Sequence, residues 1–175
     1  MRKTAFPRVL QRAGVPKRYL SVLPDDVDPQ LLSPTDRSIF VTGPPGTGKT
    51  YFMCAYLLAV KSEKATRSCL FISVDDLLRQ CRSEIRSSTE VDLMEDRCST
   101  VDVLFLDDFG VSKVSEWVLQ ILDSIISRRY NDLLQTVISS NKSLDEMTSI
   151  STRIASRIVE TYQIISMSKK DWRTG

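Results

Sequence analysis

Gly43-Pro44-Pro45-Gly46-Thr47-Gly48-Lys49-Thr50 fills the pattern G-x-x-x-x-G-K-[ST]. The chemistry these residue types support is the capture of a phosphate chain. Gly46 and Gly48 let the backbone curl around an anion without a Cβ clash. The first N–H groups of a helix that follows are unpaired and carry the positive end of its dipole. Lys49 can reach the β- and γ-phosphates of a nucleotide, and the Thr50 hydroxyl can ligate Mg²⁺. Residues 38–42 (Ser-Ile-Phe-Val-Thr) read as a short buried strand before the loop. Residues 51–60 contain neither Gly nor Pro and suit a helix after it. Gly43, Pro44, Pro45, Gly46, Thr47, Gly48, Lys49, Thr50 and Tyr51 are the candidate nucleotide-binding residues on this reading.

A second constellation lies about sixty residues on. Leu104-Phe105-Leu106-Asp107-Asp108 is an apolar strand that ends in two carboxylates. In an open α/β sheet the ligand lies at the carboxyl ends of the strands. A strand ending in Asp therefore delivers an anion beside Thr50 and a metal. Asp107 can orient Mg²⁺, usually through water, and Asp108 can orient or deprotonate an attacking water. Ile138-Ser139-Ser140-Asn141 ends another strand on an amide that could bond the γ-phosphate or that water. Ser-Asn after a strand is also a helix-cap signal. Arg153 and Arg157 lie four apart and share a helix face. An arginine offered to a neighbouring subunit's nucleotide would stabilise transition-state charge. Spacing alone favours two solvated arginines.

The elements that must hold these groups alternate. Short apolar runs at residues 69–73, 101–106 and 135–140 resemble strands buried on both faces, and residues 162–167 are a fifth strand candidate. Helical patterns lie between them. Residues 75–86 place Leu77, Leu78, Cys81 and Ile85 on one face. Residues 114–130 do the same with Trp117, Val118, Ile121, Leu122, Ile125 and Ile126, and residues 151–160 with Ile154, Ala155, Ile158 and Val159. This predicts a doubly wound, five-stranded parallel α/β sheet with right-handed crossovers. Residues 1–36 hold five of the seven prolines and read as an irregular or helical basic lead-in. Residues 37–175 form the catalytic domain, and the whole is one domain.

The bulk numbers agree with a soluble globular chain: 175 residues, 42% hydrophobic, 26% charged and net charge +2. No global polybasic character argues for nucleic acid. Residues 1–20 nevertheless carry Arg2, Lys3, Arg8, Arg12, Lys17 and Arg18 with no acid. Such an arm could touch phosphates or an acidic partner, or simply be solvated. The four cysteines form no C-x-x-C pair and the chain has no histidine, which excludes the usual zinc spacings. Cys54 and Cys69 sit in apolar runs as buried thiols. No apolar stretch reaches membrane-spanning length, and a reducing cytoplasmic setting fits best.

Taken in order, Gly43–Thr50, Phe105-Leu106-Asp107-Asp108-Phe109-Gly110, Ser139-Ser140-Asn141 and Thr152-Arg153-Ile154-Ala155-Ser156-Arg157-Ile158 resemble the motifs of AAA+ ATPases. Ala13-Gly14-Val15-Pro16-Lys17-Arg18-Tyr19 resembles the lead-in of the DnaC/DnaI-type helicase loaders and the IstB transposition ATPases. Lys170-Asp171-Trp172-Arg173 resembles their C-terminal ending. The likeness runs from about Ala13 to Arg173. It implies a P-loop AAA+ fold of the ASCE kind without a helical lid domain. It implies ATP and ADP as ligands with Mg²⁺ as cofactor. Lys49 and Thr50 would be Walker A, Asp107 and Asp108 Walker B, and Asn141 sensor 1. Arg157 would be the arginine finger with Arg153 as its helper, and Arg173 the sensor-2 arginine. Arg18 and Tyr19 would lie near the adenine. Many relatives carry Glu where Asp108 stands, so slow turnover is expected. Known loaders usually carry a further N-terminal domain, whereas only some 36 residues precede the first strand here. A minimal loader and a fragment both fit.

The resemblance further implies a nucleotide-dependent spiral or ring of identical subunits, a DnaB-type replicative helicase as partner, and single-stranded DNA. The candidate DNA surface is Arg79, Arg82 and Arg86, spaced three and four apart on one helix side, with Ser83, Ser87, Ser88 and Thr89 as further donors. Three functions stay open at this point. One is an ATPase that loads a hexameric helicase. Another is an IstB-like ATPase that remodels duplex DNA beside a transposase. The third is a nucleotide-gated binding module with negligible hydrolysis. A small-molecule P-loop kinase leaves Asn141 and Arg157 without purpose.

Overall fold

The computed structural model describes residues 3–86, 93–110 and 115–168. Five strands form one parallel sheet: β1 (Ser38–Thr42), β2 (Cys69–Ser73), β3 (Val103–Phe109), β4 (Gln135–Ser140) and β5 (Tyr162–Ser166). Their spatial order is β2-β3-β4-β1-β5. The helices are α1 (Phe6–Ala13), α2 (Lys49–Glu63), α3 (Val74–Arg86), α4 (Leu93–Thr100), α5 (Glu116–Asn131), α6 (Leu144–Ile150) and α7 (Thr152–Thr161). This is the doubly wound α/β arrangement that the alternating pattern predicts. The order has a consequence for the site. The strand before the glycine loop, β1, and the strand ending in two acids, β3, are not neighbours; β4 lies between them.

Strand side chains alternate between two cores. Ile39, Val41, Phe71, Val103, Phe105 and Val137 face one cluster, and Phe40, Leu70, Ile72, Leu104, Leu106 and Ile138 face the other. The first cluster holds α2 together with Phe6, Leu10, Ala13, Val15, Val22, Val27 and Leu32. The lead-in is therefore part of the core. Phe6, Leu10 and Ala13 recur at helical spacing, so α1 buries that stripe and leaves Arg8 and Arg12 exposed. With sheet on one side and lead-in on the other, α2 is buried from Phe52 to Leu58 without a break. That explains why its sequence is apolar all round.

Several boundaries differ from those predicted. β3 runs from Val103 to Phe109, not over residues 101–106, because Asp102 turns away to accept from the Ser68 amide and hydroxyl, each at 2.7 Å. The helices at 93–100 and 144–150 are too short for their periodicity to stand out. α6 does carry a start signal: Ser143 and Glu146 form a reciprocal capping box. Ile85 and Val159, expected inward, are exposed, since nothing covers those helix flanks among the described residues. Cys54 is buried, while Cys69 on the edge strand β2 is only partly so.

One buried charge of this fold, away from the strand ends, escaped the sequence reading. Arg129 on α5 is 1% exposed. Its guanidinium donates to the Cys98, Val101, Asp102 and Gln135 carbonyls and to the Thr136 hydroxyl, joining α4, the turn between α4 and β3, β4 and α5. Burial pushes its pKa down to about 10. Arg129→Met would keep the volume but strand those carbonyls. We expect a loss of about 3 kcal/mol, read as a lower urea midpoint; an unchanged midpoint would show that the carbonyls find other donors.

Candidate nucleotide site

The site grows from three adjacent strand ends. After β1 the chain passes Gly43 and enters the glycine loop. A Cβ at Gly43 would lie 2.2 Å from the Met167 carbonyl oxygen, so only glycine fits where the loop passes the end of β5. Gly46 and Gly48 have φ of +85° and +88°. Thr47 is buried and its hydroxyl donates to the Pro44 carbonyl at 2.9 Å, closing the loop on itself. Lys49 is 6% exposed. Its ammonium donates to the Gly43 and Pro44 carbonyls at 2.7 and 2.9 Å, which leaves one N–H for another acceptor. Burial lowers its pKa, and the charges of Asp108 and Asp107 oppose that shift.

The end of β3 sits two strands away and is linked through β4. Asp107 is buried and accepts from the Thr50 hydroxyl at 3.0 and 3.2 Å and from the Ser139 hydroxyl. Burial raises its pKa, and the Ser139 and Thr50 hydrogen bonds pull it back. Asp108 follows in a left-handed conformation, φ +59°, at an irregularity in the β3–β4 pairing between Leu106 and Phe109. Its amide donates to Ser139 Oγ at 3.0 Å. This kink turns the Asp108 side chain out of the sheet and into the cleft. Ser140 Oγ then donates to the Phe109 carbonyl at 2.7 Å, tying β3 and β4 past the kink.

A cleft of about 350 Å³ lies over these ends. Gly46, Gly48, Lys49, Thr50, Tyr51, Asp108 and Asn141 line it from the sheet side. Arg18, Tyr19, Ser21 and Val22 line it from the lead-in, where the Arg18 guanidinium stacks 4.5 Å from the Tyr19 ring centre. Tyr51 is tied to the lead-in by a hydrogen bond to Asp26. The residue capping α6 is Ser143, so Asn141 is not spent as a cap. Phosphate fits the loop, and the Thr50–Asp107 pair offers hard oxygen donors suited to Mg²⁺. Among the described residues no group of three or more metal-ligating side chains exists. A Mg²⁺ held by Thr50 and Asp107 would thus complete its shell with water and phosphate oxygens, its ordinary habit.

The other sequence candidates lie elsewhere. Arg153 and Arg157 do not line the cleft; both pair with Asp123 on α5. Arg79 pairs with Asp76 at 2.9 Å, and the Arg82 guanidinium lies 4.8 Å from the Trp117 ring centre. The Arg86 side chain, Ser87, Ser88, Thr89 and Arg173 lie outside the described residues. Sequence reasoning missed Ser139, which bonds both Asp107 and the Asp108 amide. The available signal was a pair of serines directly after Val137 and Ile138 at the end of a strand. It also missed Ser21 and Val22, which nothing in their neighbourhood marks out.

The comparisons with known proteins agree with this fold. A family model described as IstB-like ATP binding protein matches residues 31–173. The replicative helicase loader DnaC of Escherichia coli K12 is 32% identical over 117 residues, 65% of this chain and 46% of that protein. A crystal structure of the DnaC helicase loader superposes with a TM-score of 0.74 at 22% identity, covering 87% of this chain and 99% of that one. AMPPCP-bound DnaA from Aquifex aeolicus gives a TM-score of 0.67 at 21% identity, covering 79% and 44%. The chain spans about half the length of the curated loader from E. coli that it matches. No helix among the described residues is long and apolar enough to cross a membrane. With the family match running over most of its length and a P-loop α/β fold to carry it, the chain belongs to the IstB-like ATP-binding family of AAA+ proteins, alongside the DnaC-type loaders.

Proposed function

We propose that this protein is an ATP-hydrolysing helicase loader, which binds ATP with Mg²⁺, assembles into a spiral or ring and helps place a DnaB-type hexameric helicase on single-stranded DNA. The observation that carries this reading is one cleft lined by Lys49 and Thr50 from the glycine loop, Asp108 from β3 and Asn141 from the end of β4. In this assignment the loop amides and Lys49 hold the phosphates. Thr50 and Asp107 hold the metal, whose charge would neutralise the phosphate oxygens. Asp108 orients the attacking water and takes its proton. Asn141 positions that water or the γ-phosphate. Arg18 and Tyr19 wall the base, and Arg173 contacts the phosphates of its own subunit. Arg157 serves a neighbour's nucleotide, with Arg153 beside it.

The AMPPCP-bound DnaA supports nucleotide binding by this fold, and the DnaC relative supports loading. The test is a loading assay with purified protein, a DnaB-type helicase, single-stranded DNA and ATP. Loading that requires this chain and ATP supports the proposal; no helicase capture and no loading rejects it. The match to an IstB-like ATP binding protein family keeps a second reading open, an IstB-like ATPase that remodels duplex DNA beside a transposase. ATP hydrolysis stimulated by duplex but not by single-stranded DNA would select it. A hydrolysis rate at background with intact ATP binding would select the nucleotide-gated module.

The proposed DNA surface on α3 has its own test. Arg79 and Arg82 are exposed. Their partners, Asp76 and Trp117, hold them only weakly, about 1 kcal/mol or less each. Replacing Arg79, Arg82 and Arg86 together by Ala is expected to weaken single-stranded DNA binding about tenfold or more and to lower the slope of log affinity against log salt by about two. An unchanged slope would remove this surface.

A further inference from the structure

Two arginines from α7 converge on one carboxylate of α5. Arg153 Nη1 lies 2.9 Å from Asp123 Oδ2, and Arg157 Nη1 lies 3.3 Å from Asp123 Oδ1. Ser127 also donates to Asp123 Oδ1, at 3.3 Å. The two cations differ sharply in exposure: the Arg153 side chain is 66% exposed and that of Arg157 only 15%. The Arg157 guanidinium lies 5.5 Å from the Tyr130 ring centre, and Tyr130 is itself held by Glu160 at 2.8 Å. This seat satisfies Arg157 poorly. The ion pair is long, a second bond to the Arg153 carbonyl is 3.4 Å, and the buried Nε has no partner among the described residues. An arginine stored with an orphan donor gains by moving to any anion that can accept from Nε and Nη together, as a phosphate oxygen pair does.

We propose that Asp123 is a positioning residue for Arg157: it holds the guanidinium against α5 in the free subunit and gives it up when a second copy presents a triphosphate. The inference rests on the reading of Arg157 as a residue that acts on a neighbour's nucleotide. Asp123 touches neither nucleotide nor reacting atoms. It acts through Arg157, by competing with phosphate for the same cation. Arg153 is the outer partner of the same carboxylate and shares its charge, so losing Asp123 frees both.

The test is Asp123→Asn, which keeps size and the helix but removes the competing charge. ATP hydrolysis is measured against protein concentration, and ATP affinity on dilute subunits. We expect the concentration at half-maximal hydrolysis to fall about fivefold, ATP affinity to stay as in the parent, and Asp123→Glu to restore the parental curve. Arg157→Ala combined with Asp123→Asn should match Arg157→Ala alone. An unchanged or higher threshold in folded Asp123→Asn overturns the role of Asp123 while leaving Arg157 in place. A double variant that still shows the shift overturns the route through Arg157. The unaltered protein supplies a second readout. With ¹⁵N-labelled arginine, the Arg157 Nε–H signal should move between the free subunit and the ATP-bound assembly; a signal that stays put overturns the proposal even if no Asp123 variant folds.

Discussion

Lys49→Ala is expected to abolish tight ATP binding, raising Kd about 100-fold or more in a titration with a fluorescent ATP analogue. That corresponds to about 3 kcal/mol, the range for removing a charge-assisted contact to phosphate in a partly buried site. The structure shows why the loss is large. Lys49 stands at the first position of α2 and is 6% exposed, with its ammonium braced at 2.7 and 2.9 Å by two carbonyls of the loop it follows. Burial disfavours its charge, and Asp107 and Asp108 favour it. The result is a cation already desolvated and oriented before a phosphate arrives. Alanine removes the charge and leaves the Gly43 and Pro44 carbonyls without that donor, a small cost of about 1 kcal/mol in stability. The fold should therefore survive, as a thermal melt would show. Parental affinity in a folded Lys49→Ala protein would contradict the phosphate role of the loop.

The parts of this molecule that the sequence announces are those where one physical rule acts alone. Buried parallel strands are short apolar runs, and the three runs at β2, β3 and β4 become such strands; the fourth, β5, is a strand as well, but at the sheet edge with Gln163 and Ile164 exposed. The glycine loop is legible because its backbone needs residue types that few other structures need. Legibility fails where the tertiary context decides. β3 extends past its apolar run because β4 answers its kinked Asp108 and Phe109 with two buried serines. The lead-in reads as an arm because its apolar residues are sparse and interrupted by proline, yet Phe6, Leu10 and Val22 are all buried once α2 is there to meet them. Ile85 and Val159 fit the apolar stripes of α3 and α7 but lie at their margins, beyond the reach of the sheet. Arg129 looks like any basic residue near a helix end, and only the convergence of carbonyls from α4, the turn before β3, and β4 gives it a place in the core. The insertion of β4 between β1 and β3, which puts Ser139 and Asn141 between the glycine loop and the two acids, cannot be read from the order of motifs along the chain.

Arg157→Ala is expected to leave ATP affinity on dilute subunits as in the parent and to lower hydrolysis under assembling conditions by about 1,000-fold, the scale for an arginine supplied to a phosphoryl-transfer site from outside. The separation of the two effects follows from position. Arg157 is absent from the cleft that holds Lys49, Thr50 and Asp108, so its removal takes nothing from the ground-state contacts of its own subunit. It stands on α7, one turn from Arg153, in a seat made by Asp123 and Tyr130. Alanine also removes packing on Tyr130 and leaves Asp123 with Arg153 as its remaining ion-pair partner, so a modest loss of stability is expected and a melt must accompany the rate. Arg157→Lys should not rescue the rate, because a single ammonium cannot present two parallel donors to developing charge on a phosphoryl group. Arg153→Ala should cost less, since the Arg157 guanidinium itself is kept and only its neighbour one turn away on α7 is lost. Hydrolysis at the parental rate in assembled, folded Arg157→Ala would remove the trans role from this arginine. The exposed guanidinium of Arg153, one turn away on α7, would then be the group to test.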